Sequence, residues 1–158
     1  MELVITGFAG ESGCRKIYQN EEMREKLLGR YPKSFFRVWE KEEEERVSFE
    51  NCKGITDYAL CAPDGVYGAL WRLLKKNCLG ASYSERLIPV TQQTIEVCEF
   101  FSLNPFRVEA ENTCLFLCED AGPLKARFPE AVTIGYTEKG PAIRRTDGEN
   151  VSYLRKSE

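Results

Sequence analysis

Histidine is absent from all 158 positions of this chain. Its absence excludes Ser-His and Cys-His nucleophilic catalysis and leaves general acid–base work to carboxylates, Lys, Tyr or Cys. There is no Cys-x-x-Cys pair either. The seven cysteines, Cys14, Cys52, Cys61, Cys78, Cys98, Cys114 and Cys118, are scattered. A zinc site would have to gather four thiolates from distant positions, so no metal is expected. Their odd number and apolar settings read as reduced, buried cysteines serving as small hydrophobes. Cys114 and Cys118 would lie about 13 Å apart along a strand, beyond disulfide reach. A thiol-redox or metal reading rests on the count alone.

Other absences narrow the class further. No apolar run approaches the roughly 20 residues that span a bilayer. The N-terminal Met-Glu-Leu-Val-Ile-Thr lacks a basic region followed by a long apolar one, so no signal peptide is visible. A formal charge of −3 gives nucleic acid and anionic lipid nothing to grip. No internal repeat or low-complexity linker appears. A chain of this length, 42% apolar, reads as one cytoplasmic domain over residues 1–158 with a single core.

What is present is organised around residues 54–71. An apolar, β-branched run over Ile55–Cys61 turns sharply at Pro63-Asp64-Gly65. It continues as a helix with Val66, Ala69, Leu70, Leu73 and Leu74 on one face. A strand feeding a helix through a Gly turn aims the helix N-terminus beyond the strand end, where unpaired N–H groups favour anions. Asp64 is expected to cap this helix and Gly80 to close it after Lys75 and Lys76. Tyr67 and Trp71, four apart, read as packing residues.

Before that stretch, a strand over Glu2–Thr6 leads into Gly7-x-x-Gly10-x-x-Gly13, which is neither a dinucleotide nor a P-loop pattern. It reads as a flexible turn into the first helix, the sharper alternative being a phosphate-facing loop. Asn20 caps a helix over Glu21–Leu28 that Gly29 ends. Another helix is expected from 34 to about 44, its acidic tail 40–46 reading as a solvated face. After it come a short strand at 81–83 and an edge segment at 87–90 marked by Pro89. Thr91 caps a helix through Phe101, with Ile95, Cys98 and Phe101 spaced for burial. A polar loop at 109–112 precedes a doubly apolar, central strand at 113–118. A short helix at 121–128, a strand at 131–136, and a hairpin of 142–145 with 151–154 across Asp147-Gly148 complete the chain. This order predicts an α+β fold: a mixed sheet with helices packed against it.

Several blocks resemble the C-terminal domain of the aminoimidazole-ribonucleotide synthetase (AIR synthase) related superfamily, nearest to hydrogenase-maturation-factor-like members. They are residues 65–71 (Gly-Val-Tyr-Gly-Ala-Leu-Trp), Ile88-Pro89-Val90, residues 96–99, Leu103-Asn104-Pro105 and residues 133–138. The likeness is collinear from about Glu2 to Leu154. It implies the family's α+β C-domain fold and an ATP-dependent ancestry. Members of the family carry His-Asp, a β-branched residue, Thr-Glu and Gly-Gly where this chain reads Ala59-Leu60-Cys61-Ala62-Pro63-Asp64-Gly65. Only the last Gly survives. They also place a small Ser/Gly turn at the position of Glu111-Asn112.

The family's N-terminal, nucleotide-binding domain has no counterpart in these residues. The expectation is therefore a catalytically degenerate module that binds a ligand or partner, with no catalytic residue and no cofactor. Its ligand-facing residues would be Asp64, Gly65, Tyr67, Glu111 and Asn112. The alternative is the substrate-capping subunit of a split ATP-dependent synthetase or kinase, with ATP and magnesium brought by a separately encoded N-terminal-domain-like partner. Self-association through exposed sheet edges is a further expectation.

Overall fold

The computed structural model describes residues 1–42 and 48–156. The acidic tail expected to be a solvated face lies mostly outside these. Seven strands form one mixed sheet: β1 (Glu2–Thr6), β2 (Ile55–Cys61), β3 (Gly80–Tyr83), β4 (Ala110–Cys118), β5 (Val132–Glu138), β6 (Ile143–Asp147) and β7 (Asn150–Tyr153). Their order is β2-β4-β1-β5-β3-β6-β7. Every neighbouring pair is antiparallel except β3 and β6. The helices are α1 (Glu11–Gln19), α2 (Glu21–Leu28), α3 (Gly65–Lys76), α4 (Gln92–Phe100) and α5 (Gly122–Arg127).

The apolar stripe of α3 decides which face of the sheet it covers. Val66, Ala69, Leu70, Leu73 and Leu74 are fully or almost fully buried against Leu3, Ile5, Leu115, Leu117 and Ile134. Each such leucine contributes roughly 1.5–3 kcal/mol by leaving water. The opposite face of β4 and β1 presents Val4, Cys114, Phe116 and Cys118 to α5 and Phe128. β4 is thus apolar on both sides and paired on both edges, as its sequence predicts. A third cluster joins α1, α2 and α4 through Tyr18, Phe36 and Trp39, with Tyr18 and Phe36 stacked at 4.6 Å.

Caps fix the helix ends. Asn20 Oδ1 accepts from Met23 N–H at 3.1 Å, and Thr91 Oγ1 accepts from Thr94 N–H at 3.3 Å. The α3 C-terminus departs from expectation. Leu79 N–H reaches Leu74 O, Cys78 N–H reaches Lys75 O, and Cys78 takes φ 55°, so a Schellman motif closes on Cys78. Gly80 is instead the first residue of β3, packed against the backbone of Gly140 and Ala142. The α4 terminus repeats the motif on Ser102 (φ 56°).

Three further expectations need correction. Lys33–Glu40 is a 3-10 helix, which presents Phe36 and Trp39 to the aromatic cluster. Residues 87–90 pair with no strand: Pro89 O accepts from Ala9 N–H instead. Ile95 is 40% exposed because Thr94, Val97 and Cys98 form the buried face of α4.

Candidate functional site

The turn from β2 into α3 aims the helix N-terminus at residues 106–109. Gly65 takes φ +75°, and a Cβ there would stand 2.6 Å from Phe106 O and 2.8 Å from Val108 O. Only a residue without a side chain lets α3 begin so close to another backbone. The third N–H of the helix, on Tyr67, donates to Phe106 O at 3.0 Å. α1 begins the same way: its third N–H, on Gly13, donates to Glu109 O at 3.0 Å, and a Gly13 Cβ would collide with Val108. One short segment therefore lies across the N-termini of both helices. Each spends on a backbone carbonyl an N–H of the kind that would otherwise meet an anion.

Asp64 occupies the capping position of α3, but its carboxylate makes no cap. It is held by Arg72, whose Nη2 and Nε donate to its two oxygens at 2.8 and 3.1 Å. This hydrogen-bonded pairing keeps the Asp64 carboxyl below its ordinary range. Arg72 also donates to Leu60 O at 2.9 Å, tying helix to strand.

Tyr67 is 1% exposed and its ring stacks on Phe106 at 5.4 Å. Its hydroxyl donates to Glu85 Oε2 and accepts from Arg145 Nη1 at 2.7 Å, while Arg145 approaches Glu85 directly at 3.2 Å. Burial, reinforced by the Glu85 hydrogen bond, raises the Tyr67 hydroxyl to about 12. Burial opposes the Arg145 charge, but Tyr67 and Glu85 outweigh it and raise its pKa. The guanidinium groups of Arg107 and Arg145 lie 5.0 and 5.4 Å from the Tyr67 ring centre. Tyr83 is buried beside this cluster, and its hydroxyl forms no well-made hydrogen bond. In front lies a cleft of about 460 Å³, walled by Glu85, Arg86, Phe106, Arg145, Asp147 and, from β7, Asn150, Val151 and Ser152.

Glu111 and Asn112 belong to β4 rather than to a loop. Lys16 Nζ sits 2.8 Å from Glu111 Oε1 and 2.8 Å from Glu109 Oε1, bonds that raise its pKa. Ser12 Oγ accepts from Glu111 N–H at 2.8 Å and donates to Glu109 O at 3.1 Å. Asn112 contributes its backbone, whose carbonyl fits against Gly7. The five residues expected at one ligand thus lie in three settings. Asp64 and Gly65 share the turn, the Tyr67 hydroxyl is buried behind the cleft between Glu85 and Arg145, and Glu111 and Asn112 flank α1.

Sequence reasoning missed Glu85 and Arg145, which stand 18 and 78 positions from Tyr67. A buried tyrosine on an otherwise apolar helix face was the available signal, since a buried hydroxyl needs a partner. Among the described residues no group of three or more His, Cys, Asp or Glu side chains is placed to hold a metal ion. Among the same residues no helix is long and apolar enough to cross a membrane.

No protein-family model and no curated relative matches the chain. Solved structures do. The complex of HypE with HypF matches with a TM-score of 0.74 at 15% identity, over 98% of this chain and 52% of that one. The hydrogenase maturation protein HypE in complex with ATP gives 0.70 at 15% identity, over 99% and 50%. Thiamine monophosphate kinase from Aquifex aeolicus gives 0.60 at 17% identity, over 88% and 48%. The chain spans about half the length of these proteins. It shares the α+β fold of AIR synthase-related proteins, the group to which HypE and the kinase belong.

Proposed function

We propose that residues 1–158 form one AIR synthase C-terminal-like domain that is catalytically degenerate and acts as a ligand- or partner-binding module. One observation carries this reading: residues 106–109 lie against the N-termini of both α1 and α3, with Gly13 and Tyr67 N–H groups bonded to Glu109 and Phe106 carbonyls. Phosphoryl transfer depends on donors and cations aimed at developing charge. Here Tyr67 N–H is spent on Phe106, and Arg72 is spent on Asp64 and Leu60. Binding falls instead to the cleft in front of Tyr67, where a ligand or partner would meet the Arg86–Asp147 ion pair, the Glu85–Arg145 pair and Asn150 beside the Phe106 ring. The solved complex of the similar HypE with HypF supports a protein partner.

Isothermal calorimetry with magnesium–ATP tests the reading on the purified chain. No heat beyond dilution is expected, and micromolar binding overturns it. A second reading has its own support, because the similar structures run to about twice this length and one holds ATP. In it the chain caps the substrate of a split synthetase or kinase. The separate subunit brings ATP and magnesium, and the half-exposed Asp64 at the β2–α3 turn faces the substrate. ATP turnover that appears only when the two chains are mixed would select it.

A further inference from the structure

The two ends of the sheet are finished differently. At one end, β2 is interrupted by register shifts between Ile55 and Asp57 and between Leu60 and Cys61. It carries Asp57, held by Asn77 at 2.9 Å and Lys76 at 3.2 Å, and Phe49 packs on Tyr58 at 4.6 Å. Bulges, an edge charge and a covering ring are devices that keep an edge strand from pairing. At the other end, β7 has none of them. Asn150, Val151, Ser152 and Tyr153 are all exposed, uncharged and in continuous register with β6.

The hairpin geometry says which groups of β7 are free. Leu154 N–H donates to Ile143 O at 2.9 Å, so Leu154 turns its backbone groups toward β6. In an antiparallel ladder these alternate. Ser152 and Asn150 therefore also point inward, which leaves the N–H and C=O of Val151 and Tyr153 facing outward. Among the described residues no strand lies beyond them.

We propose that β7 is a homodimerisation edge, where a second copy of this chain adds its own β7 antiparallel across a two-fold axis at Ser152. That register makes Val151 and Tyr153 of one copy the hydrogen-bonded partners of Tyr153 and Val151 of the other. It also sets one exposed apolar side chain (Val151, 51% exposed) against an exposed ring (Tyr153, 56%), a favourable cross-strand pair. Charge complementarity fixes the same register. The acidic Glu149 precedes the strand and the basic Arg155 follows it, so antiparallel pairing about Ser152 brings each Glu149 beside the other copy's Arg155. Arg107 holds the Arg155 carbonyl at 2.8 Å, which anchors the backbone beyond the strand while residue 155 stays exposed. The proposal does not depend on whether the chain binds nucleotide.

Sedimentation velocity and light scattering over a wide concentration range test it. The wild-type mass should rise toward twice 18.1 kDa with concentration. Val151→Pro removes an outward N–H and leaves the β6–β7 ladder intact, so it should raise the dimer dissociation constant about tenfold or more with circular dichroism unchanged. Glu149→Lys and Arg155→Glu should each weaken the dimer, and together they should restore it. Should the proline variant misfold, the charge pair still decides the matter. A wild type that stays monomeric throughout, a dimer indifferent to Val151→Pro, or a double reversal without rescue overturns the proposal.

Discussion

Two neighbouring regions grow from the first turn of α3 and behave oppositely. On the backbone side, Gly65 and the Tyr67 N–H press against residues 106–109, and the space a ligand would need is filled by protein. On the side-chain side, the Tyr67 hydroxyl joins Glu85 and Arg145 at the back of a cleft of about 460 Å³. The same residue bonds the 106–109 segment with its backbone and braces two residues of the cleft wall with its hydroxyl. A helix N-terminus is therefore an anion site only where no other backbone reaches it first.

The largest test of the contrast is on the closed side. Gly65→Ala places a Cβ among backbone carbonyls at a positive φ. It should cost about 2–5 kcal/mol, read from urea unfolding, because strain and overpacking add. A loss under 1 kcal/mol would mean that the 106–109 segment yields easily and the closure is not built in. Next, Tyr67→Phe removes the hydroxyl shared by Glu85 and Arg145. It should cost about 1–2 kcal/mol in the same urea unfolding, while leaving the closed side intact. Unchanged stability would show the cluster to be incidental.

A third test follows from the raised Tyr67 hydroxyl. Tyrosine ordinarily titrates near 10, whereas burial and then Glu85 push this one to about 12. Between those values the unfolded chain has released the proton and the folded chain keeps it. Stability should therefore be full below pH 10 and fall as the pH rises toward 12. Tyr67→Phe should flatten that decline, and Tyr83, raised by its own burial, should retain part of it. The smallest effect belongs to the half-exposed pair of Asp64 and Arg72. Asp64→Asn should cost about 0–1 kcal/mol. The lowered Asp64 carboxyl contributes stability above its unfolded pKa, near 4, which is lost as the pH falls further.

What the sequence disclosed and what it concealed divide along the same line. Features fixed by a few adjacent residues were legible: β1, β2, the buried stripe of α3, the caps at Asn20 and Thr91, and the hairpin over Asp147-Gly148. Wherever a distant segment intervened, local patterns misled. The α3 helix closes on Cys78 rather than Gly80, since Gly80 is needed beside Gly140 and Ala142. Asp64 was drawn from its cap by Arg72, eight positions away. Glu111 and Asn112 read as a loop because they are polar, yet they extend β4 under α1. The closure of both helix starts by residues 106–109, and the meeting of Tyr67 with Arg145, are long-range events without a local signature.

The Tyr67 backbone amide reports most directly on the central claim that the start of α3 is closed to anions. Followed by nitrogen-15 NMR, it should exchange slowly with solvent and keep its chemical shift as magnesium–ATP or pyrophosphate is added. Rapid exchange, or a saturating shift of this amide and that of Gly13 with added phosphate, would contradict the account.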